Sequence, residues 1–284
     1  MDRLNDVARG VHSAEFAIAY VALRSFMLAL YWRAWRSVPQ ARPLIRFYGG
    51  GYAIGVAMWL VSLAFPTPGR YVVWVIAQIF ELSLPPLSTR LHRRIPTSAT
   101  HLPERWALFT LIVLGESVVA VAVETSGQHW RIASVSAAVL GFSVVACVWW
   151  LYFDHQASVA LRGSTISIVV YSYAHLPLLI GLAGMSAGVR MLIDRAGQAH
   201  LGASPSVALL GGTMLFLLSL VGMRMVTIRG QHQAGVLAKL LAAALIVALL
   251  GAQSVLPPLA LAGGLTSVLG CLLVIERTLV APSF

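Results

Sequence analysis

Runs of mostly apolar residues, each about 17–25 long, repeat along this chain and are separated by short polar gaps, the pattern of helices that cross a bilayer. Nine such runs fall near 14–32, 49–65, 71–87, 105–123, 132–153, 166–189, 206–227, 235–253 and 257–275. Residues that stop helices sit at their ends: Pro66, Pro68 and Gly69, then Pro85 and Pro86, Gly202 and Pro205, Pro257 and Pro258. No gap is long enough for a soluble domain. The chain 1–284 therefore reads as one integral membrane domain of all-α class, a polytopic transmembrane bundle of about nine spans.

Polar residues inside these runs are informative because hydrocarbon penalises them. Glu116 lies 11 residues into its run, roughly 16 Å deep at the helical rise. Arg105, Phe109, Ile112 and Glu116 recur at helical spacing, and a face carrying both charges is expected to point into the bundle. Arg24 occupies the middle of the first run, too far from either end to snorkel, and Glu116 at similar depth is its expected ion-pair partner. The sixth run holds Tyr171, Tyr173, His175 and Pro177. Pro177 cannot donate to the carbonyl of Tyr173, which predicts an interrupted helix with a freed carbonyl beside the histidine. Gly184 and Gly188 form a small-residue face suited to close helix packing.

Other polar positions have simpler readings. Pro103 and Glu104 suit a helix start, the proline in the first turn and the acid at the positive end of the macrodipole. His101 lies just outside the span. Asp154 and His155 follow Trp149-Trp150-Leu151-Tyr152 and read as a solvated helix end below an aromatic belt; Glu81 is read the same way.

Composition agrees with this picture. Apolar residues make up 58% of the 284 and charged residues only 11%, against roughly a quarter in soluble domains. The net charge of +10 comes from arginines in the gaps, a topology signal rather than a nucleic-acid surface. Arg33, Arg36, Arg42, Arg46, Arg90, Arg93, Arg94, Arg162, Arg229, Lys239 and Arg277 fall on one side; Arg3, Arg9, Arg70, Arg131, Arg190 and Arg195 fall on the other. Positive-inside counting puts the C-terminus in the cytoplasm. The opening residues lack a signal-peptide cleavage pattern, so the spans themselves are expected to drive insertion. Cys147 and Cys271 lie in apolar runs and read as free thiols. No phosphate-cradling loop, zinc pair, nucleophile elbow or dinucleotide fingerprint occurs, and no metal or other cofactor is expected.

Three segments carry a family resemblance: HLPERWALFTLIVLGESVV at 101–119, WWLYFDH at 149–155 and YSYAHLPLLIGLAG at 171–184. Together they resemble the bacterial low temperature requirement protein A (LtrA) family, over essentially the whole chain. The resemblance implies a bacterial inner-membrane, multi-pass protein, and it places the family's polar positions on His101, Glu104, Arg105, Thr110, Glu116, Asp154 and His175. It weights Glu104, Asp154 and His175 above their local readings. Family members generally begin with a helix of the type Glu-Leu-Phe-Phe-Asp-Leu-Val-Phe and two further spans, and this chain starts after them. That helix resembles the one at 104–115. The expected organisation is thus one and a half copies of a six-helix repeat, with 14–87 the second half of the first copy and 105–275 the second.

The leading functional expectation is a secondary transporter or channel, proton-coupled through Glu116, with His175, Arg24, Arg105, Glu104, Asp154 and Tyr173 on the substrate or proton pathway. The alternatives are an intramembrane, lipid-modifying enzyme and a non-catalytic scaffold. Expected partners are membrane lipids and an unidentified small molecule or ion, with no nucleic acid; an oligomer is compatible with the pattern.

Overall fold

The structure is a computed structural model, and it describes residues 12–92, 101–126, 131–154, 165–227 and 233–280. Arg3, Arg9, Arg93, Arg94, His155, Arg162 and Arg229 lie outside the described residues. Among the described residues there are nine long helices: α1 (Ser13–Ser37), α2 (Arg42–Ser62), α3 (Gly69–Leu87), α4 (His101–Ser126), α5 (Ile132–Phe153), α6 (Thr165–Asp194), α7 (Gly212–Thr227), α8 (Gln233–Gly251) and α9 (Pro258–Val280). They correspond one for one to the nine apolar runs. Among the described residues, eight helical segments are long and apolar enough to cross a membrane. The exception is α3, whose 19 residues carry Arg70, Gln78, Glu81 and two prolines in the last turn. The α4 start is as expected, with Pro103 and Glu104 in its first turn.

The chain divides into two compact units, residues 1–97 and 98–284. In the first, α2 packs against both α1 and α3. Ala17, Trp59 and Ala77 form its core, where the Trp59 ring stacks on Tyr20 at 4.0 Å and on Trp74 at 4.9 Å. Ser62 accepts from Trp74 Nε1 at 2.9 Å, and Arg70 donates to Ser13 at 2.6 Å, fastening one end of the three helices. At the other end the Tyr48 and Ser88 hydroxyls are 2.7 Å apart.

In the second unit α6 is the central element, in contact with α4, α5 and α7. Its buried stripe runs Tyr171, His175, Leu178, Leu182, Met185, Val189 and Leu192, the three-four spacing of one helical face. Pro177 does not interrupt it: α6 is continuous from Thr165 to Asp194. A transmembrane helix accommodates a proline where its neighbours support the backbone, which is why the predicted break is absent.

On the expected small-residue face a Cβ at Gly184 would make only ordinary contact, 3.4 Å from the Ala208 carbonyl oxygen, and the close approaches are at Gly188 and at Gly181, one turn before Gly184. A Cβ at Gly181 would sit 2.6 Å from the Gly212 carbonyl oxygen, and a Cβ at Gly212 would sit 2.6 Å from the Gly181 oxygen. Gly188 lies against the backbone of Leu209, inside a π-helical turn at Val207–Gly211 that precedes α7. Backbones this close exclude any side chain. Gly181→Ala should therefore cost about 1–3 kcal/mol as overpacking. Gly222→Ala, whose Cβ would meet nothing within 4 Å, should be neutral or stabilising through helix propensity. Thermal unfolding in mild detergent separates the two; equal melting temperatures would remove the close-packing argument.

Candidate functional site

The three sequence segments that carried the resemblance lie on three different helices, and the fold brings them to one point. From α6 come Tyr171 and His175, from α5 Tyr152, and from α4 Trp106 and Thr110. His175, Tyr152, Tyr171 and Thr110 are all 0% exposed. His175 Nδ1 is 2.8 Å from the Tyr171 carbonyl oxygen, which can only accept, so this nitrogen carries the proton and donates. Nε2 is then the acceptor, and the Tyr152 hydroxyl, 3.0 Å away, donates to it. The Thr110 hydroxyl adjoins that of Tyr152.

Rings enclose the imidazole. The Trp106 ring stacks on it at 4.6 Å with planes 19° apart, and Tyr171 presents its edge at 4.7 Å. The result is a hydrogen-bonded line from Tyr152 of α5 through His175 to the α6 backbone, with the Thr110 hydroxyl of α4 beside it, buried and without a hydrogen-bond partner among the described residues. At its margin the Tyr171 hydroxyl is buried without a hydrogen-bond partner among the described residues. A buried hydroxyl in that condition costs about 1–3 kcal/mol, so it is an arrangement that packing alone would not favour.

Two further polar clusters are buried, and the sequence reading found neither. In the first unit Arg24 is ion-paired with Glu81. Tyr20 links them, donating to Glu81 Oε2 at 2.8 Å and accepting from Arg24 Nε at 2.9 Å, while the Tyr52 ring lies 4.9 Å below the guanidinium. The partner of Arg24 is thus Glu81 and not Glu116. Glu81 is a buried carboxylate on the Ala77, Glu81, Leu84 face of α3, not a solvated helix end. Gly55 on α2 makes room for it, since a Cβ there would collide with the carboxylate.

In the second unit Lys239 of α8 contacts Glu276 of α9, and Arg224 of α7 reaches the same carboxylate oxygen at 3.7 Å. All three are at least nineteen-twentieths buried. Lys239 and Arg224 stand near the ends of their runs and look like topology charges, and Glu276 falls just past the last run. Depth along a helix is legible in sequence; the direction in which a residue points is not.

That limit explains the largest correction. Glu104, Arg105 and Glu116 are exposed, as are Phe109 and Ile112, the latter at 70%. The inward face of α4 is instead Ala107, Thr110, Leu114, Ser117 and Ala120. Both stripes have helical spacing, and a helix apolar all round offers no asymmetry to choose between them. Asp154 is exposed just past the end of α5. Tyr173 is half-buried and, two residues from both Tyr171 and His175, lies on a different side of α6. His155 falls outside the described residues.

Comparison with known proteins fits the motif geometry. No solved structure matches the chain. An uncharacterized protein, RA0937, of Rhizobium meliloti (strain 1021) is 28% identical over 240 residues, covering 75% of this chain and 56% of that protein. The chain thus spans about half the length of the curated relative it matches. The family model for bacterial low temperature requirement A protein matches residues 5–274, and with eight apolar helices long enough to span a bilayer and its motifs meeting at one buried histidine, this chain belongs to the LtrA family as a multi-pass membrane protein.

Proposed function

We propose that this chain works as a secondary transporter in which the hydrogen-bonded pair Tyr152–His175 carries a proton. The observation behind this reading is the fully buried imidazole, hydrogen-bonded on one nitrogen to the Tyr171 carbonyl and on the other to the buried Tyr152 hydroxyl. Intramembrane titratable groups in such chains recur in proton relays. In the tautomer present, Nε2 accepts from Tyr152. Taking up a proton at Nε2 would reverse that hydrogen bond, because imidazolium donates from both nitrogens and the tyrosine oxygen must then accept. One protonation event would thereby rearrange contacts on α4, α5 and α6 together.

Glu116, the favoured proton carrier on sequence grounds, is the weaker candidate because it lies on the outer face of α4. The distribution of arginines supports a cytoplasmic C-terminus; a bacterial inner-membrane location and an unidentified small molecule or ion as cargo belong to the same proposal.

Liposomes loaded with a pH-sensitive dye test the reading. With the purified protein incorporated and a pH gradient imposed, wild type should dissipate the gradient, alone or with one of a panel of cations and organic solutes. His175→Gln should slow this by at least about tenfold, as removal of an obligatory carrier requires, and Tyr152→Phe should slow it less. Glu116→Gln should leave the rate within about twofold. Abolition by Glu116→Gln with His175→Gln unaffected would return the role to the carboxylate. A wild-type protein that never moves protons but chemically converts a lipid would replace transport by intramembrane acid–base catalysis.

A further inference from the structure

A groove in the first unit runs between the end of α1 and the start of α2. Leu28, Trp32 and Trp35 form one wall, Arg46, Gly50 and Ala53 the other, around a volume of about 440 Å³. The glycines leave it open: a Cβ at Gly49 or Gly50 would meet nothing within 4 Å. At its mouth the side chains are cationic. Arg33, Arg36, Arg42 and Arg46 are all exposed. The carboxylates described in this unit are elsewhere: Glu15 at the far end of α1, and Glu81 buried against Arg24.

The guanidinium groups are held in a particular way. Arg36 lies over the Trp32 ring at 5.0 Å, while Arg42 and Arg46 lie over the Trp35 ring at 5.7 and 5.5 Å. Arg42 Nε also donates to the Trp35 carbonyl at 3.2 Å. A guanidinium held over a ring by cation–π attraction still has N–H donors to offer a phosphate. Tryptophan at this level is the mark of a membrane–water interface.

We propose that this groove binds one anionic phospholipid, its phosphate on Arg42 and Arg46 and one acyl chain lying along the groove floor. The dimensions agree. From Arg42 to Ala53 is 11 residues, about 16 Å at the helical rise, which matches the hydrocarbon depth of one leaflet at about 15 Å. Four cations with no carboxylate beside them among the described residues of this unit select a lipid of net negative charge over a zwitterionic one. A soluble anion would use the arginines but not the apolar length below them.

Native mass spectrometry of the full chain in detergent, with equal amounts of phosphatidylglycerol and phosphatidylcholine of the same acyl composition, tests this. Phosphatidylglycerol should be retained at least about fivefold over phosphatidylcholine, and Arg42→Gln and Arg46→Gln should each reduce that preference by about fivefold, the effect of one basic side chain at an anionic surface. Ala53→Trp, which fills the exposed lower groove, should reduce retention of both lipids. Arg277→Gln, a charge lost in the other unit, should change nothing. Equal retention of the two lipids, an Arg277→Gln effect as large as that of Arg42→Gln, or displacement of the lipid by millimolar inorganic phosphate would each overturn the assignment.

Discussion

Glu276→Gln is expected to destabilise the protein by about 3–5 kcal/mol, the cost of removing one partner from a buried ion pair. In a protein of this size that corresponds to a fall in melting temperature of roughly 5–8 °C. Glutamine keeps the shape of the side chain, so the effect isolates charge. Glu276 is the only buried carboxylate among the described residues of its unit, and it serves two buried cations, Lys239 and Arg224, through the same oxygen. Without it, two like charges share a dry site, where Coulomb repulsion is far less screened than in water. Lys239→Met should do much less harm, because it leaves Arg224 and Glu276 as a balanced pair and puts an apolar chain among α7, α8 and α9. The double variant Glu276→Gln with Lys239→Met should recover part of the loss, a non-additivity expected only of groups in contact. Thermal unfolding in mild detergent reads all three. A Glu276→Gln protein that melts with wild type would show that the triad is not held as a charged unit.

How far such features can be read in advance depends on what they require. The helices were legible because a bilayer demands length and apolarity, both properties of a single run, and their ends carry proline and glycine. Gly184 and Gly188 were legible as a packing face because four-residue spacing fixes a common side. His175 stood out as an imidazole in an apolar run. Its partners did not, since Tyr152, Trp106 and Thr110 come from other helices and only packing brings them together. Charged residues were misread where depth was known and azimuth was not. Arg105 and Glu116 share a face of α4, but the opposite face is equally apolar, and that second face turned inward. Lys239, Arg224 and Glu276 sit where interfacial charges normally sit, and each pairs inward instead. Glu81 reads as a solvated end because it lies near the end of its run, yet it is buried on the Ala77, Glu81, Leu84 face of α3.

The pairing of Arg24 gives the second large effect. Arg24→Met should destabilise by about 3 kcal/mol or more, because the Glu81 side chain it abandons is 1% exposed and keeps only the hydroxyl of Tyr20. Glu81→Gln should cost less. The stranded Arg24 cation still has the ring faces of Tyr20 and Tyr52 at 5.2 and 4.9 Å and the Tyr20 hydroxyl on its Nε, whereas a stranded Glu81 would keep that hydroxyl alone. This asymmetry distinguishes a pair whose anion is the less supported partner from one in which both ends are equally held. A double variant identifies the partner: Arg24→Met with Glu81→Gln should be more stable than Arg24→Met alone by about 1–3 kcal/mol, since the orphaned charge is gone. Arg24→Met with Glu116→Gln should show no such recovery, because the outward carboxylate on α4 was never the counter-charge. Recovery with Glu116→Gln and none with Glu81→Gln would reverse the assignment and put Arg24 opposite α4.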